Sequence, residues 1–348
     1  MVVEDSAVVR TLLEYSIGPD PRLEVCATAP TAEDALRLLD RSALDAVEPD
    51  VIAMDIRLPG MDGLEATLRI IFTNPVPIVV VAASVESEKS NTTAIDAMRV
   101  GALTVLEKPA GTTDADYETL AERLCTQPVI MSEVKLVRRH RESDSADGDR
   151  AQFAGGGRAG FKILGIVCSA GGPGALVQLL RALEPAFPQP ILLVQHMTSS
   201  FLEGFASWLA SACPISVKIA NNGSIPTAGT VIVAAADRHL RLEAGRLRLD
   251  AREPISFQRP SGTALFQSMA QDLRTEALGV LLTDMGDDGA AGLLDIRRAG
   301  GFTIAEDEST AVVYGMPAAA VRIGAVCESL PLPAIGSRVL ELVACKKS

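Results

Sequence analysis

The sequence predicts an α/β protein of two domains, each a parallel sheet with helices on both faces. Three observations predict it. At 348 residues the chain exceeds one ordinary domain, and either half is long enough to bury its own core. Short β-branched runs alternate with amphipathic stretches in both halves, the rhythm of parallel strands joined by crossover helices. Between the halves lies a polar, glycine-rich tract with neither period.

In the first half the apolar runs fall at 23–27, 51–54, 78–81 and 103–106, with a helical pattern over 31–39. Only Met1, Val2 and Val3 precede Glu4-Asp5, a short first strand beside the usual five or six residues. The alternation ends near residue 125. A basic stretch at 135–141 gives way to the acidic 142–149 and then to Gly155-Gly156-Gly157, a composition that cannot bury enough surface to fold. The expected division is therefore a first domain over 1–125, a linker over 126–160 and a second domain over 161–348. Strands are expected at 162–168, 191–195, 231–235 and 278–282, with a helix over 290–299. The stretch 239–250 alternates apolar and polar about Ala244-Gly245 and predicts an antiparallel hairpin in that domain.

Composition excludes several classes of function. A formal net charge of -12 is the wrong sign for a protein that grips phosphate backbones, so no nucleic-acid partner is expected. Cys26, Cys125, Cys168, Cys213, Cys327 and Cys345 form no C-x-x-C pair. They read as buried small apolar residues of a reducing compartment rather than zinc ligands or disulfides. The start has no charged-then-apolar leader pattern, and no apolar run is long enough to span a bilayer; a cytoplasmic protein without membrane insertion is expected.

Carboxylates gather at one edge of the first sheet. Glu4 and Asp5 follow the first strand and Asp55 ends another, so all three converge at the carboxyl ends of neighbouring strands. Such a cluster repels itself unless a cation joins it, and hard oxygen ligands suit Mg2+. Lys108, just past the last strand, brings an ammonium to the same edge. Helix capping is the competing explanation for the acids, but it leaves the lysine without a purpose.

In the second half, Cys168-Ser169-Ala170-Gly171-Gly172 follows a strand and precedes a helix, which sets Ser169 for nucleophilic attack beside helix N-terminal amides. A serine there can equally cap the helix. The chain has three histidines, of which His140 lies in the linker. His196 ends the strand 191–195 on the edge where Ser169 emerges, and His239 heads the hairpin. The strand 278–282 runs into Thr283-Asp284-Met285-Gly286-Asp287-Asp288-Gly289, where Asp287 and Asp288 are both candidates to hold an imidazole or to cap a helix. The pattern is not that of an α/β-hydrolase, since Val167 stands where G-x-S-x-G needs glycine and histidine precedes the acid. Nor is it a dinucleotide loop, because Gly172-Pro173-Gly174 is not followed by glycine at Val177.

The first domain resembles the response regulator receivers of two-component systems, through Glu4-Asp5-Ser6, Asp55 within the run 54–63 and Glu107-Lys108-Pro109. The resemblance implies a flavodoxin-like doubly wound sheet in which Asp55 accepts a phosphoryl group from a chemotaxis histidine kinase. Glu4, Asp5 and Asp55 would hold Mg2+ with the Arg57 carbonyl, and Lys108 would pair with the phosphoryl oxygens. Receivers carry Ser or Thr at the end of the fourth strand, where this chain has Ala82, with Ser84 two positions on.

The second domain resembles the CheB-type protein-glutamate methylesterases. The resemblance rests on 168–172, Val194-Gln195-His196-Met197, 236–240, 282–292 and 307–317. It implies a doubly wound α/β domain with Ser169 as nucleophile, His196 as base, Asp288 as orienting acid and the Met285 amide as oxyanion donor, with no cofactor for ester hydrolysis. It also implies demethylation of glutamate methyl esters, and deamidation of glutamines, on the signalling helices of methyl-accepting chemoreceptors. The receiver is expected to cover the site until phosphorylated. The family's I-G-A-S is here Ile166-Val167-Cys168-Ser169, and Asp284 replaces the first glycine of L-T-G-M-G, which brings a carboxylate beside a developing oxyanion. These departures, with Ala82, support the alternative expectation of a non-catalytic regulator that keeps the fold for phosphoryl buffering or receptor binding.

Overall fold

Two parallel sheets carry the chain in a computed structural model that describes residues 1–82, 97, 102, 104–109, 117–132, 160–183, 187–284 and 286–344. The first sheet holds β1 (Val2–Val3), β2 (Thr28–Ala29), β3 (Ile52–Asp55), β4 (Ile78–Ala82) and β5 (Thr104–Glu107), in the order β2-β1-β3-β4-β5 with every pairing parallel. β3 and β4 are buried along their whole length, as strands covered on both faces must be. Helices α1 (Ala7–Ile17), α2 (Ala32–Leu39), α3 (Gly63–Thr73) and α4 (Tyr117–Ser132) flank the sheet. Polar side chains fix their starts: Thr31 accepts from the Asp34 amide at 3.1 Å and Asp62 from the Glu65 amide at 2.7 Å.

One expectation needs correction here. The run 23–27 is not a strand. β1 has two residues and pairs Val2 with Thr28 and Val3 with Ala29, so the edge ladder begins after that run, joined to it by the Val2 amide on the Ala27 carbonyl. Cys26 lies in the unpaired run and is exposed, unlike the buried Cys168 and Cys213. α4 continues to Ser132 with Pro128 inside it, and its Leu124 and Met131 bury against the β1 and β4 face with Val2, Leu13 and Val79. The tract 133–159, which contains His140, lies outside the described residues.

The second sheet is built from β6 (Ile163–Cys168), β7 (Ile191–Gln195), β8 (Ser216–Ile219), β9 (Thr230–Val233), β12 (Ala277–Leu281), β13 (Phe302–Glu306) and β14 (Glu328–Leu330), in the order β14-β13-β12-β6-β7-β9-β8. All its pairings are parallel. β10 (His239–Glu243) and β11 (Arg246–Asp250) form the expected antiparallel hairpin, with Ala244 and Gly245 both at positive φ in its two-residue turn. One face of the sheet packs α5 (Gly172–Ala182), α6 (Leu202–Ala212) and α10 (Leu332–Ala344) through Leu176, Leu179, Phe205 and Ile335. The other packs α7 (Gly262–Leu273), α8 (Ala290–Arg298) and α9 (Met316–Arg322) through Phe266, Met269, Leu293 and Met316. Strand order reverses around β6, so its carboxyl end and those of β7 and β12 open on one crevice.

Candidate active site

Ser169 leaves the end of β6 in a turn tied on three sides. Its amide donates to the Thr283 carbonyl at 3.2 Å, and its carbonyl accepts from the Gly172 amide at 2.8 Å and from Gln195 Nε2 at 2.9 Å. Gly171 closes the turn at φ 75° with Val312 pressed against its Cα, so a side chain there meets both a forbidden dihedral and a neighbour. His196 follows β7 and hangs its amide on the Cys168 carbonyl at 3.0 Å. Gln195 Nε2 also donates to the His196 carbonyl at 3.0 Å, so one amide staples the base-bearing loop to the nucleophile-bearing one. Sequence reasoning did not single out Gln195, although a buried amide beside two such residues was a signal.

The loop after β12 supplies two buried carboxylates. Asp288 Oδ1 accepts from Ser261 Oγ at 2.6 Å and the Thr263 amide at 3.1 Å, while its Oδ2 accepts from the Gly262 amide at 2.6 Å and lies 2.9 Å from His196 Nε2. The carboxylate thus sits on the N-terminus of α7, where free amides and the helix dipole favour negative charge. Ser261 was not predicted, although a serine ahead of an apolar helical run is a readable cap and its Oγ accepts from the Ala264 amide. Asp287 is exposed, whereas Asp288 is buried against His196.

Asp284 is the unexpected participant. It is buried, its Oδ1 accepts from the Ala170 amide at 3.3 Å, and its Oδ2 lies 3.3 Å from His196 Nδ1. Both nitrogens of the imidazole are therefore held by carboxylates. Among the described residues, Ser169 Oγ has no hydrogen bond to that ring. Met285, the expected oxyanion donor, lies outside the described residues. The amide of Ala170, directly after the serine, donates to Asp284 Oδ1 instead, a contact that sequence reasoning did not single out.

Burial pulls the His196 pKa down, but the hydrogen bonds and charges of Asp284 and Asp288 outweigh it and raise it to about 9. Burial acts on Asp288 in the opposite sense and is overcome by His196, Ser261 and the Gly262 amide, which hold it below the ordinary carboxylate value. His239 is wholly buried and structural: Nδ1 accepts from the Ser261 amide at 3.2 Å and Nε2 donates to the Glu253 carbonyl at 3.0 Å. Cys168 is buried beneath the turn, where burial and the nearby Asp284 and Glu306 charges push its thiol well above its usual value.

The first domain closes this crevice. Thr104 and Val105 of β5 join Ser169, Gln195, His196, Met197 and Phe201 around a cavity of about 10 Å³, room for no more than one water molecule. Glu107 at the end of β5 accepts a long hydrogen bond from Ser200 Oγ at 3.5 Å.

At the other edge of the first domain, Glu4 and Asp55 are buried and Asp5 is exposed, and an oxygen of each lies within 4.8 Å of the others. Lys108 Nζ reaches Glu4 Oε2 at 2.7 Å and Asp55 Oδ2 at 2.8 Å. Burial raises the Glu4 pKa even though Lys108 opposes it. Three carboxylates, two of which already recruit an ammonium, are a donor set suited to a small hard cation. Ala82 ends β4 and its carbonyl accepts from the Lys108 amide at 2.8 Å; Ser84 lies outside the described residues.

Comparison with known proteins bears on both halves. The family model described as CheB methylesterase matches residues 164–339, and that of the response regulator receiver domain matches residues 1–116. A protein-glutamate methylesterase/protein-glutamine glutaminase 2 of Paramagnetospirillum magneticum is 50% identical over 98% of this chain and 96% of its own. A protein-glutamate methylesterase/protein-glutamine glutaminase of Nitrosospira multiformis is 40% identical over 99% and 96%. Among solved structures, the Thermotoga maritima CheB methylesterase catalytic domain is 36% identical, with a TM-score of 0.51, over 53% of this chain and 99% of that one.

Proposed function

Because the chain belongs to the CheB methylesterase family, with a response regulator receiver domain ahead of the catalytic one, we propose that Ser169, His196 and Asp288 carry out its ester hydrolysis. The enzyme is a protein-glutamate methylesterase and protein-glutamine glutaminase under phosphorylation control. Relatives of that name matching nearly the whole chain do not favour the non-catalytic alternative. The observation that carries the residue assignment is the convergence of a hydroxyl, an imidazole and a helix-anchored carboxylate at the ends of β6, β7 and β12.

The chemistry follows from these groups. Ser169 Oγ attacks the carbonyl carbon of a glutamyl methyl ester and His196 takes the serine proton. With Nε2 committed to Asp288, the nitrogen that receives it is Nδ1. Asp288 holds the ring and stabilises the imidazolium, and the Ala170 amide faces the developing oxyanion. His196 then protonates departing methoxide, methanol leaves, and water cleaves the acyl-serine to give the glutamate carboxylate. A glutamine side chain follows the same course with ammonia as the leaving group. Neither step calls on a cofactor.

In the receiver, Asp55 is the proposed phosphoacceptor, and a chemotaxis histidine kinase is its proposed donor. Glu4, Asp5 and Asp55 would hold Mg2+, which supplies neutralisation of phosphoryl charge, and Lys108 would pair with a phosphoryl oxygen. The proposed substrates are signalling helices of methyl-accepting chemoreceptors. The proposed compartment is the cytoplasm; among the described residues, no helix is long and apolar enough to cross a membrane. The domain division proposed is a receiver over 1–125, a linker over 126–160 and a catalytic domain over 161–348.

The test is methanol release from a methylated receptor by the full chain, with acetyl phosphate as phosphoryl donor. Ser169→Ala should abolish release. Turnover that persists in this variant would remove Ser169 as the nucleophile.

A further inference from the structure

Asp284 is held where the reaction needs empty space. Its main chain is fixed: the amide donates to the Val313 carbonyl at 3.2 Å, and its carbonyl accepts from the Gly315 and Met316 amides at 2.9 Å each. From that anchor the carboxylate reaches two groups at once, Oδ1 the Ala170 amide and Oδ2 His196 Nδ1, each at 3.3 Å. The first is the donor that follows the nucleophile, suited to an oxyanion, and the second is the nitrogen left to take the serine proton. A carboxylate spanning an oxyanion donor and the base is also what the product presents when glutamate is formed.

We propose that Asp284 is a resident product-like carboxylate that occupies the place of the substrate carbonyl, so that each turnover requires its side chain to swing off Ala170 and His196. The inference rests on the methylesterase reading and goes beyond it, because the brake belongs to the catalytic domain's own residues. It is distinct from the covering by β5. In the resting arrangement the imidazole carries both protons, Nδ1–H toward Asp284 and Nε2–H toward Asp288. A base able to accept from Ser169 exists only when Nδ1 is bare and its aspartate displaced. The ionisable groups around this ring are Asp284 and Asp288 on the loop after β12, Cys168 at the end of β6, Glu306 at the end of β13 and Glu107 on β5. Cys168 is neutral, so the two aspartates in contact dominate, and only Asp284 covers the nitrogen that must be bare.

Asp284→Asn keeps shape and an oxygen for the Ala170 amide but removes the charge that holds a proton on Nδ1. Asp284→Gly empties the space. The full chain, with acetyl phosphate present, is assayed for methanol release from a methylated receptor peptide between pH 6 and 10. The parent should be slow at pH 7 and speed up toward pH 9, where His196 loses its proton. Each unit by which a variant lowers that pKa should raise kcat at pH 7 about tenfold. Both variants are expected to gain about tenfold or more, with the rising limb of the pH profile moved toward neutrality. In parallel, NMR titration of the imidazole, one of only three histidines in the chain, should place His196 at least about one unit lower in the Asn variant. Parent turnover equal to or above that of both variants, on an unmoved limb, would overturn the proposal and make Asp284 a residue that orients the base. If no form releases methanol at any pH, the esterase reading has failed, and the titration still decides: an unshifted His196 would overturn the proposal on its own.

Discussion

Replacing Asp288 by asparagine removes one charge and turns one acceptor into a donor at a site where all four neighbours are arranged to donate. Oδ1 takes Ser261 Oγ–H and the Thr263 amide, and Oδ2 takes the Gly262 amide and His196 Nε2–H. With the new NH2 at the first position the Thr263 amide loses its acceptor; with it at the second, the Gly262 amide does. Either rotamer leaves one buried backbone donor unpaired, at a cost of about 1–3 kcal/mol. Breaking a buried ion pair costs about 3–5 kcal/mol, reduced here because Asp284 still faces the imidazolium. A total of roughly 3–5 kcal/mol follows, which for a domain of this size lowers Tm by about 6–20 °C. Turnover should fall further than stability implies, by on the order of 10⁴ in kcat, because the ring loses the partner that fixes its tautomer. Thermal unfolding and methanol release on the same preparation measure both. A kcat within tenfold of the parent in a variant with lowered Tm would refute the orienting role and leave Asp288 as a helix anchor. An unchanged Tm would refute the hydrogen-bond accounting.

Three further outcomes are expected. The His196 pKa is raised to about 9 in the folded chain against 6.5 unfolded, so its contribution is fully present below about pH 6.5 and is lost as pH rises through 9. It amounts to roughly 3 kcal/mol, and urea unfolding at pH 6 and pH 9.5 should differ accordingly, a flat profile counting against the two-carboxylate clamp. Gly262→Ala should cost about 1–3 kcal/mol, because its Cβ would overlap Val167 Cγ1 and displace the amide on Asp288. Val167→Ala in the same chain should recover part of that loss, and strict additivity in the double-mutant cycle would show that the two side chains do not meet.

What the sequence made legible was what ends strands. Glu4, Asp55, Ser169 and His196 each sit at or just past the carboxyl end of a buried run, so apolar periodicity located them along with the sheets. From its own residues Asp288 was legible only as one of a pair, and the family resemblance alone singled it out, because separating it from Asp287 needs the direction of a side chain in an irregular loop. The edge strand was misplaced because 23–27 is as apolar as a strand, and only the two-residue length of β1 decides where pairing begins. The end of α4 was not read from the sequence, because its continuation through Pro128 depends on Leu124 and Met131 finding tertiary partners. Asp284 was visible as an oddity, but whether its charge would face solvent, a cation or the base depended on Val313, Gly315 and Met316 holding its main chain.

One short strand touches both sites. Lys108 immediately follows β5, its ammonium bridges Glu4 and Asp55, and its amide is tied to the Ala82 carbonyl. Four residues earlier, at about 3.3 Å per residue or some 13 Å away, Thr104 and Val105 wall the cavity that contains Ser169 and His196. On the proposal that Asp55 is the phosphoacceptor, a phosphoryl group there would add negative charge where Lys108 now balances two carboxylates, and the lysine would redistribute its contacts. Position 82 is an alanine and has no hydroxyl to share that task. The pull would then fall on Lys108 and the strand it follows, which walls the Ser169 cavity. On that proposal Ala82 would concentrate the response on β5, and the contact between Glu107 and Ser200 is a polar link across the domains that a shift at that end of the strand would reach.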